Sequence, residues 1–291
     1  MRAACIDIGS NTTRLLVADC DGQRLRELHQ ERAYTRIGQE LGSADRISTP
    51  KLAEVGEVVA AQLERARDHG AEVVRCVATA AVRRASNGPE LVSWIQKRCP
   101  GLTVEILSER DEAGFAFLGA SRTLRGWPQG DLGLVDVGGG SSELVVGEAD
   151  GRMRWWRSLP IGSGELTAAC VHHDPPAPAE MEEMRGRVER GLAGAEPPPA
   201  ALVVAVGGSA SSLLQMTGQV LDPPAFDRAL TLLSRDAAAQ VARVTGLDAE
   251  RVKLLPAGIL ILQKVAERFA QPLVVGAGGL REGVLLQAAR G

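Results

Sequence analysis

A chain of 291 residues, 45% hydrophobic and 24% charged, is long enough for two separate cores and lacks the polar bias of a disordered protein. Its net charge of −3 argues against a protein wrapped broadly around nucleic acid, so a polyanionic ligand would need a local cationic groove. No apolar run reaches the length of a membrane span and no basic, apolar leader precedes the first strand, which points to a cytoplasmic chain without a membrane partner.

Residues 3–9 (AACIDIG) have the composition of a strand that carries one acid, Asp7, and breaks at Gly9. Ser10, Asn11 and Thr12 turn the chain, residues 14–18 return as a second strand, and residues 24–33 make a third. Ser48 or Thr49 caps a helix with Pro50 in its first turn; Leu52, Val55, Val59 and Leu63 recur at helical spacing until Gly70. Residues 72–78 form a buried-type strand, residues 79–84 turn, residues 89–98 form a helix and residues 102–107 the next strand. Ser108 with Asp111 three residues on has the form of a capping box and opens a helix through Phe115 and Leu118. Residues 126–130 (GWPQG) mark a linker.

The second half repeats the first. In residues 133–147 (GLVDVGGGSSELVVG) an apolar strand carries Asp136, breaks at Gly138, Gly139 and Gly140, and returns through Ser141, Ser142 and Glu143. Asp7 and Asp136 occupy the same place in the two hairpins, which suggests related halves. A third glycine corner, Gly207, Gly208 and Ser209, follows the strand of residues 203–206 and leads into a helix over 210–216. Residues without a Cβ let backbone N–H groups line a concavity that binds anions, and a carboxylate at the strand end can hold a divalent cation above them. Taken alone, one such stretch is also what an ordinary tight hairpin looks like. Three corners, each at a strand end, are harder to attribute to chance.

Residues 153–159 supply a third strand to the second half, and Trp155 and Trp156, facing opposite sides, suit core packing. Prolines at 175–176, 197–199 and 223–224 punctuate loops, with a polar-faced helix over 180–192. A long apolar helix starts at Pro256, a strand covers 273–275 and a final helix covers 281–289. His172 and His173 lack a third ligand at metal spacing and belong to a loop. The five cysteines, odd in number and mostly inside apolar runs, suit reduced core thiols.

The blocks IDIGSNTTRLLV, VDVGGGSSELVVG, VVAVGGSASSL and GGLREGVL, spread from residue 3 to about 286, resemble the exopolyphosphatase and guanosine pentaphosphate phosphohydrolase family, within the actin, hexokinase and Hsp70-like superfamily. The resemblance implies an α/β fold of two ribonuclease H-like lobes of the actin-like ATPase type, residues 1–120 and 121–291, with the active site in the cleft between them. In relatives the last helix can cross back onto the first lobe. It implies a phosphohydrolase that releases terminal phosphate from inorganic polyphosphate or guanosine pentaphosphate with Mg²⁺, and by analogy a homodimer. Longer members carry extra helical domains beyond the position where this chain stops, so the resemblance implies a minimal two-lobed form.

The family's catalytic glutamate lies immediately before an alanine on the helix preceding the second phosphate motif, and SERDEAG places Glu112 there. Bare of that context, Glu112, like Glu109 and Asp111, is a solvated acid in the first turn of a helix. Glu143, just past the glycine turn, is the second candidate, able to orient the attacking water or hold metal. Arg83 matches a family arginine that faces the substrate chain; Arg84 does not. The phosphate contacts implied are Gly9, Ser10, Asn11 and Thr12; Gly138, Gly139, Gly140 and Ser141; and Gly207, Gly208 and Ser209. Asp136, Glu143 and Asp7 are the candidate metal ligands. Relatives often have a polar or acidic residue near Ala277, so its absence here weakens any substrate role for residues 276–283. Two other readings remain: a small sugar or acid kinase of the same fold, which would lack its sugar-binding acid here, and a non-catalytic nucleotide-sensing module.

Overall fold

The computed structural model describes residues 1–41, 45–124, 126–148 and 150–290. The chain begins β1 (Arg2–Ile8), β2 (Thr13–Cys20), β3 (Leu25–Ala33), α1 (Ile37–Leu41), α2 (Thr49–Asp68), β4 (Val73–Ala78), α3 (Ala80–Arg84), α4 (Gly88–Arg98), β5 (Val104–Ile106) and α5 (Glu109–Thr123). It continues β6 (Leu132–Val137), β7 (Ser142–Gly147), β8 (Met153–Leu159), α6 (Ser163–Cys170), α7 (Pro178–Gly191), β9 (Leu202–Val206), α8 (Gly207–Thr217) and β10 (Val220–Leu221). It ends α9 (Pro223–Arg235), α10 (Ala238–Thr245), α11 (Ala249–Val252), α12 (Leu255–Phe269), β11 (Leu273–Val275) and α13 (Leu280–Ala288). Two compact units result, one of Met1–Thr123 with Gly278–Gly291 and one of Leu124–Ala277.

The first unit holds a five-stranded sheet in the order β3-β2-β1-β4-β5, with β1, β2 and β3 antiparallel and β4 and β5 parallel to β1. Its central strand is apolar on both faces because both are covered. Ala4, Ile6 and Ile8 pack with the buried stripe of α2, and Ala3 and Cys5 pack with Val284 and Leu285 of α13. Ser48 caps α2 by accepting the Lys51 N–H, and Pro50 sits where its missing donor costs nothing. The outer strand β3 alternates and puts charged side chains at the edge, which discourages pairing with another chain.

The second unit repeats the plan in a six-stranded sheet, β10-β11-β9-β6-β7-β8. β6, β7 and β8 are antiparallel, β9 and β11 run parallel to β6, and β10 adds an antiparallel edge. Trp155 packs against this unit's core. All five cysteines are free and buried. Among the described residues no helix is long and apolar enough to cross a membrane.

The structure departs from the sequence reading in definite places. Gly207 and Gly208 are the first residues of α8 rather than a corner ahead of it. Asp222, Pro223 and Pro224 do not mark a loop: the Asp222 carboxylate accepts the Ala225 N–H, and the prolines fill the first turn of α9. Elements as short as α1, α3, α11 and β10 carry too few residues for a periodic signal. At α5, Ser108 accepts the Asp111 N–H at 3.1 Å, but the acid takes the serine hydroxyl at 2.6 Å instead of closing the box on backbone.

The tightest packing in the first unit is the crossing of α5 and α13, which glycine makes possible. A Cβ on Gly119 would overlap the Gly279 carbonyl, and one on Gly283 would overlap the Phe115 carbonyl. Backbone cannot move aside as a flexible side chain does, so Gly283→Ala should destabilise the chain by about 3 kcal/mol in urea denaturation, the upper end of ordinary overpacking. Gly56→Ala on α2, where a Cβ meets nothing within 4 Å, should be neutral or stabilising. A loss under about 1 kcal/mol for Gly283→Ala would mean that the helices part easily.

In α7, Glu180 accepts from the backbone N–H groups of Ala177 and His172 and from the His173 ring at 2.7 Å. Burial pushes this carboxyl up, but the His173 and backbone donors outweigh it and hold it at about 2, down from 4.5. A depressed carboxyl stabilises the fold above its unfolded value and loses that contribution as pH falls. Stability followed from pH 4.5 down to about 2 should therefore fall, and Glu180→Gln should flatten that part of the curve. An unchanged slope in the variant would remove Glu180 from the account.

Candidate active site

Both hairpin turns are closed by one bond of the same kind. The Gly9 N–H donates to the Thr12 carbonyl at 3.0 Å, and the Gly138 N–H donates to the Ser141 carbonyl at 3.0 Å. A Cβ on Gly9 would lie 3.1 Å from that carbonyl oxygen, and one on Gly138 would lie 2.9 Å from its counterpart, so glycine is what lets each chain double back. The turn carbonyls are then taken up by protein donors. Ser10 and Asn11 accept from the N–H groups of Gly38 (2.8 Å) and Arg36 (3.0 Å); Gly138 and Gly139 accept from Ser163 (2.9 Å) and from Gly164 and Glu165 (both 3.0 Å). With the carbonyls engaged at the starts of α1 and α6, donors are the groups each turn has to offer an anion.

The turns sit at the carboxyl ends of the parallel strands, where open α/β sheets bind ligands. In the first unit Ile8, Ala78 and Ile106 end β1, β4 and β5 in register. The Ile8 carbonyl accepts the Thr79 N–H at 3.1 Å, which brings the start of α3 beside the first turn. In the second unit Asp136 of β6 pairs with Val206 of β9, so the second turn and the start of α8 share one edge.

The acid in front of each turn has a different partner. Asp7 lies directly across from Arg14 of β2, whereas Asp136 lies across from Glu143 of β7. One Asp7 oxygen is buried with no hydrogen-bond partner among the described residues. Burial pushes its carboxyl up, and the nearby Arg281 and Arg14 guanidinium groups pull it back. Arg281, on α13, is itself buried and donates to the Leu15 carbonyl at 3.3 Å. Asp136 Oδ1 sits 2.6 Å from where a Gly207 Cβ would be, and Gly207 has φ of +87°, so glycine makes room for the carboxylate as it starts α8.

Glu143 is not a strand acid facing water. It is 2% exposed, and the Ser158 hydroxyl donates to its Oε1 at 3.0 Å from the facing position on β8. Of the three acids opening α5, Glu109 and Asp111 are exposed and Glu112 is buried. Arg83 Nη1 donates to Glu112 Oε2 at 2.7 Å and to the Leu107 carbonyl at 2.8 Å. Among the described residues no cluster of three or more His, Cys, Asp or Glu side chains is disposed to hold a metal.

At the third corner the Ser209 hydroxyl is buried without a hydrogen-bond partner among the described residues, in the space that a Cβ on Gly258 of α12 would need. Its hydroxyl thus faces α12. Arg251 of α11, which sequence reasoning missed, is 9% exposed, and its Nη1 lies 2.5 Å from where a Gly208 Cβ would be. Nothing in its local sequence separates it from a surface arginine. A cavity of about 670 Å³ lies at the opposite end of the first sheet, lined by Arg2, Asp19, Arg24, Arg26 and Glu72, and holds none of these residues.

The profile of the Ppx/GppA phosphatase family matches residues 16–290. Exopolyphosphatase 1 of Mycobacterium leprae is 29% identical over 99% of this chain and 89% of its own length. A guanosine-5'-triphosphate,3'-diphosphate pyrophosphatase of Aeromonas hydrophila is 27% identical over 97% of this chain and 58% of its own length. Among solved structures, the Aquifex aeolicus member of the Ppx/GppA protein family is 29% identical, with a TM-score of 0.82 over 100% of this chain and 98% of that one.

The Ser158–Glu143 bond makes a stability prediction that stands apart from any reaction. Ser158→Ala leaves a buried carboxylate short of a donor and should cost about 1–3 kcal/mol, whereas Ser158→Thr keeps the hydroxyl and should cost less. Denaturant midpoints for the two variants test this. An alanine variant as stable as the parent would show that Glu143 does not depend on the serine.

Proposed function

The chain belongs to the Ppx/GppA phosphatase family, and from that premise we propose that it releases terminal phosphate from polyphosphate or guanosine pentaphosphate with Glu112 as general base. It is a hydrolase of phosphoanhydride bonds, and its architecture is the actin-like two-lobe fold of the family. The observation that carries the assignment of the base is the burial of Glu112 beside Arg83 at the sheet edge that also holds the first glycine turn.

In this reading the N–H groups of the turns at Gly9–Thr12 and Gly138–Ser141 hold phosphoryl oxygens. Glu112 takes a proton from the attacking water as the water oxygen bonds to the terminal phosphorus. The bridging P–O bond breaks, and the chain leaves one phosphate shorter. Gly207 and Gly208 contribute backbone N–H groups from the start of α8, a favourable place for an anion, and Arg251 contributes its charge there. Ser209 takes a packing role in this scheme, because its hydroxyl faces α12.

Asp136 and Glu143 suit a divalent cation. Facing each other across one strand pair, they offer the one or two carboxylates that Mg²⁺ takes while keeping several waters. A bound Mg²⁺ would offset negative charge on the phosphoryl oxygens. Asp7 is not given that role here, because burial pushes its carboxyl up despite Arg281 and Arg14 and so disfavours the charged form that a cation needs. The expectation of a homodimer rests on family analogy.

Phosphate release from polyphosphate, guanosine pentaphosphate and ATP, each with Mg²⁺ and with chelator, tests the reading. Release from either of the first two, abolished by chelator, is the expected result; transfer from ATP to a sugar or acid would favour a kinase. Glu112→Gln should lower turnover by roughly 10²–10⁴-fold with little change in KM, because the amide keeps the shape and cannot accept a proton. Glu109→Gln and Asp111→Asn, on the same helix start, should stay near the parent. Near-parental turnover in Glu112→Gln would move the base elsewhere, with Glu143 next to test.

A further inference from the structure

Among the described residues Arg83 makes its side-chain hydrogen bonds with a single nitrogen. Nη1 donates both to Glu112 Oε2 at 2.7 Å and to the Leu107 carbonyl at 2.8 Å. Both acceptors are anchored. The Leu107 N–H donates to the Ala78 carbonyl at 2.9 Å, extending the β4–β5 ladder, and the Glu112 N–H donates to the Ser108 carbonyl at 2.9 Å in the first turn of α5. The donor is anchored as well. The Arg83 N–H reaches the Thr79 carbonyl at 3.0 Å, and the Thr79 N–H reaches Ile8, the residue before Gly9, at 3.1 Å.

Bonded backbone thus runs from the first glycine turn through α3 to the Glu112 carboxylate. The two side chains are 20% and 10% exposed, so the pair is shielded from the solvent screening that makes surface ion pairs loose and weak. A cation that served substrate alone would have no need of the Leu107 carbonyl or of the carboxylate.

We infer that Arg83 is the positioning residue for Glu112: it fixes the carboxylate relative to the first glycine turn, and this rests on the reading of Glu112 as the base. The planar guanidinium holds the carboxylate and the Leu107 carbonyl in one fixed geometry, and an ammonium, a point charge on a flexible stem, does not reproduce it.

The test is a double-mutant cycle on phosphate release from guanosine pentaphosphate, with Arg83→Lys, Glu112→Gln and the two combined, each variant checked for folding by thermal melting. Arg83→Lys should lower kcat by roughly 10–100-fold, the cost of a base displaced by about 1 Å, with KM close to the parent's. The combined variant should be no slower than Glu112→Gln alone, since a positioning residue has nothing left to position. A raised KM with kcat retained, or losses that multiply, would overturn the inference and leave the assignment of the base standing.

A parent that releases no phosphate from either polyphosphate or guanosine pentaphosphate would instead sink the functional reading, and the pair would then be judged spectroscopically. The Glu112 carboxyl ¹³C resonance, identified by its loss in Glu112→Gln, should move in Arg83→Gln and return part of the way in Arg83→Lys. A resonance that stays in place in both would overturn the inference whatever the assays show.

Discussion

A carbonyl oxygen 2.9–3.1 Å from where a Cβ would stand, closer than ordinary contact, is the constraint that both halves of this molecule share. Thr12 puts its carbonyl against Gly9 and Ser141 puts its own against Gly138, and in each case the glycine N–H is bonded to that oxygen. The closure lets a strand end, turn within four residues and return as the next strand. It also turns donors to one side, because the neighbouring carbonyls are bonded to the starts of α1 and α6. The starts of α3 and α8 lie at the same sheet edges as the turns, so the chemistry of each unit inherits its geometry from one missing methyl group.

The duplicated hairpins differ where it matters for charge. The position across from the strand-end aspartate is Arg14 in the first and Glu143 in the second. In the first hairpin burial pushes the Asp7 carboxyl up, and the guanidinium groups of Arg281 and Arg14 offset only part of that. Asp7 has two guanidinium groups near it, and Glu143 has the Ser158 hydroxyl on one oxygen. A repeat that is symmetric in backbone therefore sets different side chains beside its two strand-end acids.

Glu112 shows how a buried carboxylate is kept in place by elements remote in sequence. It opens α5, whose far end crosses α13 so closely that Gly119 and Gly283 have no room for a side chain. Its carboxylate is held by Arg83, from a different helix. Removing one partner of a shielded pair leaves the other uncompensated at a cost of roughly 3 kcal/mol. The exposed Arg46–Glu90 pair, at 57% and 53% exposure, is screened by solvent and contributes little. The difference is solvent, and it is why the first pair can define a geometry and the second cannot.

The sequence by itself determined what is local. Alternation and apolar runs marked the strands, Ser48 with Pro50 marked the start of α2, and paired Asp-x-Gly turns showed the duplication, because each signal is complete within a few neighbouring residues. Motif order was enough for the family and, through it, the actin-like fold. Local reading failed where one residue type serves two purposes: Asp222-Pro223-Pro224 looks like a loop and is a helix start, and Gly207-Gly208 looks like a corner and is a first helical turn. Tertiary structure alone decided that Glu143 is buried against Ser158, that Glu112 rather than Glu109 or Asp111 meets Arg83, and that Arg251 lies on Gly208. Those facts depend on contacts between segments far apart in the chain, and a single sequence carries no periodicity that reports which distant side chains close on one another.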